Sequence, residues 1–326
     1  MKRSILSEYS NLLLTIYRRA QELPVHEFQD VILDDVKPLL PFDSSMWGTA
    51  TMTDDGIDIH SLHLHNTTQA MIDAYEKVKH LDVAALRITQ QPTATMAFNT
   101  GTDFPGAQLK PYREFLHQFR HENFLITSDM NSITRFVQWV SLYRNDPQQV
   151  CTPTDTELLA CFAPHLMQAL AINRLVHLDR LTGDVAREKW SVAIADNRGV
   201  LYHADRKFRE LVRQEWRSDG EERLPHDLLA RLVADDNQVV GARVVVRRSL
   251  ERGLLFLKAR QKEEVDTLSQ REFLVASLLV SGLTQKQVAA RLDRSPETIR
   301  SQIKTIFEKL GINNVAVLAS KIALRG

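Results

Sequence analysis

The sequence contains few cysteines, few glycines and no long apolar run. Cys151 and Cys161 are its two cysteines, which excludes a disulfide framework in a chain of 326 residues. Its 12 glycines form neither a GxGxxG nor a GxxxxGK(S/T) pattern, so the common loops that bind nucleotide phosphates are absent. The longest apolar stretches, such as 253–257, are far shorter than the roughly 18–20 residues of a membrane span. No signal-peptide core follows the basic N-terminus, and we therefore expect a cytoplasmic protein with no membrane partner.

The chain also lacks a net charge, because 41 Lys and Arg residues balance 41 Asp and Glu residues. This balance is uneven along the sequence. Residues 266–326 hold nine basic and five acidic side chains, a net charge of +4, whereas the residues before them hold 32 and 36, a net charge of −4. A basic segment on an acidic body predicts a polyanionic partner for that segment. At about 100–200 residues per domain, the length predicts two or three domains.

Residues 1–183 are predicted to form the first domain, of mixed helices and strands. Apolar spacings of three or four indicate helices, and alternating residues around the turn Asp54-Asp55-Gly56 indicate a β-hairpin. The predicted helices lie near 6–20, 25–40, 68–81, 113–121 and 154–181, and the predicted strands at 45–53, 57–65, 124–127 and 133–143. A loop-rich stretch surrounds Pro92 and Gly101. A capping box of Thr154 and Glu157 is predicted to begin the long last helix.

Residues 189–262 are predicted to form a second, smaller domain. Strand patterns occur at 191–195, 200–202, 238–247 and 253–259, with a helix around Phe208. Helices inserted among antiparallel strands indicate an α+β fold for both regions. The charged segment 261–266 is interpreted as a linker.

Capping signals divide residues 266–326 into short helices. Two boxes, Ser269 with Glu272 and Thr284 with Gln287, each predict a helix start. Ser295 is a predicted N-cap with proline at the first helical position, where its missing N–H is harmless. Apolar residues are expected to face inward from the first two helices (Phe273, Leu274, Leu278, Leu279, Val288, Ala289 and Leu292) and from the third (Ile299, Ile303, Ile306 and Leu310). Two capped helices joined by a turn of three or four residues predict a helix-turn-helix.

The opposite face of the third helix carries polar side chains. With the isoleucines buried, Glu297, Arg300, Ser301, Lys304, Thr305 and Glu308 are predicted to point outward. The major groove of DNA, about 12 Å wide, admits one α-helix, whose N-terminal residues reach the base edges. The backbone N–H groups at the starts of this helix and of the preceding one, together with Ser295, Thr284 and Lys286, are suited to phosphate contact. Double-stranded DNA is therefore the expected partner.

These motifs resemble the LuxR (GerE, FixJ/NarL) DNA-binding domain. The matching segments include Leu268-Ser269-x-Arg271-Glu272, Gly282 to Ala289, Ser295-x-x-Thr298-Ile299-Arg300 and Lys309 to Ile312. The resemblance implies an all-α domain of four helices, with base or phosphate contact by Arg300, Ser301 and Lys304, and with Thr284, Lys286, Ser295 and Thr298 near the DNA backbone. It also implies a homodimer.

Two positions depart from the family pattern. Gln302 stands where the family usually has His, and Val315 stands where Arg is common. The second departure bears on the packing of the last helix, predicted for 314–324. In that helix Val315, Leu318 and Ile322 share one face, which serves either dimerisation or packing inside the domain.

The first 260 residues are less specific. A phosphoacceptor receiver is disfavoured, because α/β alternation is absent and no Lys occurs near residue 134, so Asp34 and Asp35 are interpreted as the exposed face of a helix. Tyr75 and the segment 80–83 resemble an acyl-homoserine-lactone domain only faintly, since Asp and Gln replace the expected Trp and Tyr at 73 and 69.

A third interpretation fits better. Residues 1–180, with paired helices, a turn at 40–43 into a strand and a long closing helix, resemble a GAF domain. Residues 189–260, in particular the segment 192–208, are similar to a shortened PAS domain in which Asp205 replaces the usual Asn. Such folds hold a small ligand in a partly apolar pocket or act as spacers. Aromatic residues that are candidates for the pocket lining, or for plain core, are Trp47, Tyr75, Phe98, Phe115 and Trp139.

A histidine cluster raises the question of a metal. His60, His63 and His65 lie on one predicted strand, and His63 and His65 share a face. No acidic residue that completes a ligand shell is evident nearby, so a solvent-facing strand without a metal is predicted. No cofactor is expected.

Together these patterns predict a dimeric transcription regulator with a sensor region, with RNA polymerase as a further partner and a small ligand as the signal. Alternatives are a constitutive DNA-binding or partner-binding regulator with vestigial sensor folds and, less favoured, a quorum-signal receptor. No catalytic constellation stands out in residues 1–260, so enzymatic activity is not expected.

Overall fold

The computed structural model describes residues 5–53, 56–91, 93–130, 135–182, 190–217, 220, 222–234, 237–251 and 253–323. The chain divides into two compact units. One unit consists of residues 1–181 and 251–253, and the other of residues 182–250 and 254–326. The predicted domain limits at 183, 189 and 326 lie outside the described residues, and the division into three domains stays a prediction.

The first unit has ten-residue strands at one edge of its sheet and a thirty-residue helix at its end. In chain order its elements are α1 (Ile5–Glu22), α2 (Val25–Val36), β1 (Ser44–Thr53), β2 (Gly56–His65), α3 (Gln69–Val78), α4 (Val83–Thr89), β3 (Thr93–Asn99), α5 (Lys110–Gln118), β4 (Asn123–Met130), β5 (Phe136–Arg144) and α6 (Pro153–Thr182). The strands form one antiparallel sheet in the order β2-β1-β5-β4-β3.

This sheet is covered on both faces. Neighbouring strand residues point to opposite faces, and Leu125 packs with α1, α2 and α6 whereas Phe124 packs with α3, α4 and α5. Antiparallel strands flanked by helices confirm the predicted α+β class. A bulge in β2 changes the pairing register between Thr49 and Ala50, since Thr49 pairs with Ser61 but Ala50 pairs with Ile59.

Two elements of the first unit fall in the region predicted to be rich in loops. Asp82 caps the start of α4, and its carboxylate accepts a hydrogen bond from the Ala85 N–H. Strand β3 begins four residues after the end of α4. Its residues Ala94 and Phe98 are buried. Pro92 and the predicted turn residues Asp54 and Asp55 lie outside the described residues.

The start of α6 differs from the prediction. The capping pair is Thr152 with Asp155 instead of Thr154 with Glu157: the Asp155 N–H donates to the Thr152 hydroxyl at 3.2 Å, and the Thr152 N–H donates to the Asp155 carboxylate at 2.8 Å. Proline at residue 153 takes the first helical position, so the box begins two residues earlier.

Helix α6 is also long and apolar enough to cross a membrane by length and composition. Half of its most apolar window is buried inside the protein. Leu159, Phe162, Leu166 and Leu170 pack in the core with α1 and α2. Burial of this kind is typical of a core helix, so the helix is weak evidence for a membrane span.

The second unit begins with another five-stranded antiparallel sheet. Its elements are β6 (Ser191–Asp196), β7 (Leu201–Ala204), α7 (Arg206–Arg213), α8 (His226–Val233), β8 (Gln238–Val240), β9 (Val244–Glu251) and β10 (Leu254–Gln261). The order is β7-β6-β10-β9-β8, which is the strand order of the first sheet. The single strand predicted for 238–247 is two strands, β8 and β9, that pair with each other.

Among the described residues that follow, up to residue 323, there are four α-helices: α9 (Gln270–Val280), α10 (Gln285–Arg291), α11 (Pro296–Leu310) and α12 (Val315–Ala323). Their shared core contains Val275, Val288, Ile299, Ile306 and Leu318. The predicted linker is an ordered connection, because a short 3-10 helix at Glu264–Thr267 follows β10 and Val265 is buried in the same core.

Candidate nucleic-acid interface and ligand pocket

The predicted caps of the C-terminal helices are confirmed. Ser269 with Glu272 and Thr284 with Gln287 each form a reciprocal capping box, at the start of α9 and of α10. At α11 the Ser295 hydroxyl accepts a hydrogen bond from the Thr298 N–H at 3.1 Å. These bonds satisfy N–H groups that have no partner within their own helix, so the sequence fixes where each helix begins.

Helix α11 presents the two faces that the sequence predicts. Ile299, Ile306 and Leu310 are at most 2 % exposed. Ile303 is the exception, because it is partly exposed and lines a shallow groove along α11. In α9, Leu274 is 47 % exposed, so its predicted burial is wrong, and Val275 and Ala276 are buried instead.

All seven predicted DNA-contacting residues are exposed. Arg300, Ser301 and Lys304 line the groove along α11. The Lys304 ammonium lies 3.7 Å from the Glu308 carboxylate, and both of these side chains are largely exposed. The other four residues lie at the starts of two helices. Thr284 is the N-cap of α10 and Lys286 lies in its first turn, whereas Ser295 is the N-cap of α11 and Thr298 lies in its first turn.

Two features lie at the junction of α10 and α11. The Gln285 side-chain amide donates to the Pro296 carbonyl at 2.8 Å, which joins the starts of both helices. In the turn between them Asp293 adopts a left-handed conformation with φ 51°. The sequence predicted the tight turn at Asp293 and Arg294 but not the Gln285 hydrogen bond, since glutamine at this position gives no specific signal.

Residues 266–322 match the family described as "Bacterial regulatory proteins, luxR family". Residues 266–322 are a LuxR-family helix-turn-helix domain.

Two curated relatives share this similarity. The transcriptional regulatory protein UhpA of Escherichia coli is 39 % identical over 57 residues, which cover 18 % of this chain and 29 % of that protein. A nitrate/nitrite response regulator protein homolog of Haemophilus influenzae is 28 % identical over 83 residues, which cover 26 % and 39 %. The matches therefore span less than half of each relative.

Solved structures give weaker similarities. CepR2 from Burkholderia cenocepacia, an N-acylhomoserine lactone dependent LuxR-family factor, has a TM-score of 0.40 at 15 % identity and covers 54 % of this chain and 99 % of that one. Escherichia coli SdiA has a TM-score of 0.38 at 15 % identity and covers 97 % of each chain. A phycoerythrobilin-bound GAF domain has a TM-score of 0.36 at 12 % identity and covers 52 % and 97 %. Scores below 0.5 do not establish a function for this chain.

The last helix of the LuxR-family domain has a mixed surface. Leu318 is fully buried, and Ile322 packs against the same core. Val315 and Val317 are 41 % and 40 % exposed. The predicted shared face is thus divided between internal packing, by Leu318 and Ile322, and exposure, by Val315.

A mainly apolar pocket lies in the first unit between its sheet and helices α3, α4 and α5. Three of the predicted aromatic lining candidates, Tyr75, Phe115 and Trp139, line it. The other two, Trp47 and Phe98, are buried in the core. The free volume of the pocket is about 90 Å³. Trp139 packs so closely on Gly48 that a Cβ at that position would lie 2.4 Å from the indole.

A buried carboxylate lies at this pocket. Asp82 accepts hydrogen bonds from the hydroxyls of Tyr75 and Tyr112, each at 2.8 Å, as well as from the Ala85 N–H. Burial raises the pKa of Asp82, against the lowering effect of these hydrogen bonds. Burial, with the nearby Asp82 carboxylate, also raises the pKa of both tyrosines. A carboxylate held in this way is a polar anchor in an otherwise apolar site.

The histidines of β2 are not on a solvent-facing strand, so that prediction is wrong. His65 is 4 % exposed, and His63 and His65 both contact Asp30 of α2. An acidic residue therefore does lie beside them. Sequence reasoning missed it because Asp30 precedes His63 by 33 residues and His65 by 35. His60, the third histidine, bonds instead to Thr51 at 2.6 Å.

Proposed function

We propose that this chain is a DNA-binding transcription regulator that reads the major groove with α11. The observation that carries this proposal is the exposed face of α11, where Arg300, Ser301 and Lys304 lie opposite a buried row of apolar residues. A helix with one buried and one cationic face, set against a second capped helix, has the shape and charge that fit a duplex groove.

Within this proposal the exposed residues have two roles. Arg300 and Ser301 lie in the second turn of α11, where side chains reach base edges, and Lys304 lies one turn further on. Thr284, Lys286, Ser295 and Thr298 surround two helix N-termini, where free N–H groups favour phosphate oxygens. The net charge of +4 in residues 266–326 strengthens binding to any DNA sequence.

The first unit is the proposed sensor. Its pocket combines apolar walls with the buried Asp82 carboxylate, a composition that suits a small, mainly apolar ligand with one hydrogen-bond donor. Ligand binding shifts the population of DNA-competent states if the ligand binds those states more tightly. The free volume of about 90 Å³ is smaller than the roughly 300–1,000 Å³ of typical ligand pockets, so the constitutive alternative stands beside the sensor function and the two are separated by experiment.

The proposed assembly is a cytoplasmic homodimer on a partly symmetric DNA site. Val315 and Val317, exposed on α12, supply an apolar surface for a second copy. Two copies related by a two-fold axis read two half-sites about one helical turn apart. RNA polymerase is the proposed partner through which the bound dimer changes transcription.

The proposal is tested first without a known operator. Sites are selected from random duplex DNA with the full-length protein, and affinity for the selected site and for scrambled DNA is measured by fluorescence anisotropy. We expect a selected motif with inverted half-sites and tighter binding to it than to scrambled DNA. Equal affinity for both, or no binding at low ionic strength, would refute sequence-specific regulation.

Ligand control is tested separately. Small apolar molecules are screened by thermal shift, and each stabilising compound is added to the DNA-binding assay. A compound that changes both melting temperature and DNA affinity supports the sensor function. If compounds that bind the pocket leave DNA affinity unchanged, the constitutive alternative is correct.

A further inference from the structure

Two histidines and two aspartates of the first unit face one another between α2 and β2. The Nε2 atom of His63 and the Nδ1 atom of His65 lie 2.9 Å and 2.8 Å from the same oxygen, Oδ1 of Asp30. One helical turn after Asp30, Asp34 places its Oδ1 atom 3.4 Å from Nε2 of His65. We call these four residues the His–Asp cluster.

The cluster is buried on one side and open on the other. The side chains of His63 and His65 are 10 % and 4 % exposed, whereas those of Asp30 and Asp34 are 44 % and 62 % exposed. The imidazoles are thus held by the packing around β2, and solvent reaches the carboxylates. An ion has a path to the site without unfolding of the strand.

One buried polar atom of the cluster lacks a partner. Among the described residues, Nε2 of His65 has no hydrogen bond of acceptable geometry, although Asp34 is close. When Nδ1–H donates to Asp30, a neutral ring directs the Nε2 lone pair toward a carboxylate. That arrangement leaves a buried acceptor unsatisfied, which is unfavourable.

A metal ion resolves this arrangement. If Nδ1 of His65 coordinates an ion, the ring proton resides on Nε2 and points at Asp34. Metal-bound histidines commonly donate their second N–H to a carboxylate, which fixes the ring orientation. Asp34 is placed for that role.

The donor set and its spacing fit a first-row transition metal. One ligand atom from each of Asp30, His63 and His65 lies within 4.8 Å of the others. Bonds of about 2.0–2.2 Å set tetrahedral ligand atoms roughly 3.3–3.5 Å apart, so each hydrogen-bonded contact opens by less than 1 Å. Two imidazole nitrogens and one carboxylate oxygen suit zinc and similar ions, whereas magnesium and calcium prefer oxygen alone.

We propose that Asp30, His63 and His65 bind one divalent transition-metal ion, with zinc as the reference ion, and that Asp34 orients His65. The alternation of side chains along β2 gives the site a further consequence. Leu62, next to His63, lines the apolar pocket on the opposite face of the sheet. An ion that joins β2 to α2 therefore holds one wall of that pocket in place.

The test measures zinc binding to full-length protein that has first been treated with a chelator. Isothermal titration calorimetry gives the affinity of the wild type and of the variants Asp30→Asn, His63→Gln and Asp34→Asn. We expect one tight site in the wild type, and at least ~10-fold weaker binding in each ligand variant and in Asp34→Asn. His60→Gln is the matched control, because His60 lies on the same strand but bonds to Thr51, and its affinity should equal that of the wild type.

Two results of the zinc titrations would overturn the proposal. The first is wild-type zinc affinity weaker than about 100 μM, which corresponds to adventitious binding. The second is an equal loss of affinity in His60→Gln and in the ligand variants. Circular dichroism establishes that each variant is folded, and Asp30→Asn, at a half-exposed position, keeps the test valid if His63→Gln does not fold. Cobalt substitution distinguishes sites, because a sulfur-to-cobalt charge-transfer band would assign the ion to Cys151 or Cys161 instead.

Discussion

Arg260 and Asp266 form a bidentate ion pair that is buried inside the second unit. Nη1 and Nη2 of Arg260 lie 2.5 Å and 2.7 Å from the two carboxylate oxygens of Asp266. Their side chains are 2 % and 0 % exposed, and the Arg260 guanidinium also stacks on Trp190 at 4.7 Å. Asp266 in turn accepts a hydrogen bond from the Glu263 N–H, which closes the 3-10 turn before the LuxR-family domain. The last strand of the sheet and the first turn of the DNA-binding domain are therefore joined by a desolvated charge pair.

Removal of one partner leaves the other charge buried. We expect Asp266→Ala to lower the free energy of unfolding of the second unit by about 3–5 kcal/mol, since the Arg260 charge then has no compensating carboxylate. Urea unfolding followed by circular dichroism measures this loss. Glu264→Ala is the matched control: Glu264 is 65 % exposed and pairs with Lys321 at the surface, so its loss should cost less than ~1 kcal/mol. Equal costs for the two variants would mean that the buried pair contributes no more than a surface pair.

Arg300 and Lys304 of α11 are expected to contact different parts of the DNA, a base and a phosphate respectively. Arg300→Ala should weaken binding to the selected site by about 1–3 kcal/mol and affect scrambled DNA much less, because base contacts carry the sequence specificity. Lys304→Ala should weaken binding to both DNAs and reduce the slope of log affinity against log salt by about 0.9, the effect of one phosphate contact. Anisotropy titrations at several salt concentrations separate these outcomes.

A matched control removes the same charge elsewhere in the second unit. Arg206 is 94 % exposed on α7 and pairs only with its neighbour Glu210 among the described contacts. Arg206→Ala should leave both affinities unchanged. If it weakens binding as much as Arg300→Ala does, general electrostatic attraction explains the effect and Arg300 has no base contact.

His121 predicts a specific pH dependence for the first unit. Its side chain is 1 % exposed and stacks on Tyr143 at 3.7 Å, and burial lowers its pKa from 6.5 to about 3. Because the folded-state pKa is the lower one, the stabilisation is complete above pH 6.5. As the pH falls from 6.5 toward 3 the unfolded chain takes up a proton that the folded chain does not, and stability falls by up to ~1.4 kcal/mol per pH unit.

This contribution is isolated by a difference between two proteins. His121→Phe keeps a ring against Tyr143 and removes the titration. Urea unfolding between pH 4 and 7, followed by the fluorescence of Trp47 and Trp139 after Trp190 and Trp216 are replaced by phenylalanine, should show a smaller pH slope in the variant. Identical slopes would show that His121 is protonated in the folded state at the same pH as in the unfolded chain.

Sequence reasoning was most successful where the signal is local. The boxes at Ser269 and Thr284 and the cap at Ser295 each need only residues three positions apart, and each forms as predicted. The same rule selected the wrong pair at α6. Two overlapping candidates exist there, and proline at 153 favours Thr152 with Asp155. A local motif therefore predicts that a helix begins but leaves its first residue open when a second motif lies within one turn.

Features that depend on distant residues could not be predicted in this way. Nothing in the pattern of β2 indicates that Asp30 of α2 lies against His63 and His65, because sheet and helix meet only in the folded unit. The identical order of the two sheets is likewise absent from the sequence, which has no long internal repeat. Alternating burial indicates each strand, whereas the strand order depends on pairing between residues that lie far apart in the sequence.

Ser295 allows two roles of a single hydroxyl to be separated. As the cap of α11 it accepts the Thr298 N–H, and in the proposed complex it also lies near a DNA phosphate. Ser295→Ala should lower the free energy of unfolding by about 0.5–2 kcal/mol, because the N–H loses its acceptor.

Ser295→Asp keeps an acceptor at the cap and should retain most of that stability, but its negative charge repels phosphate. We therefore expect Ser295→Asp to bind both selected and scrambled DNA more weakly than Ser295→Ala does, and Ser295→Ala to melt at the lower temperature. If Ser295→Asp binds DNA as tightly as the wild type, the start of α11 does not approach the phosphate backbone, and α11 enters the groove by a different route.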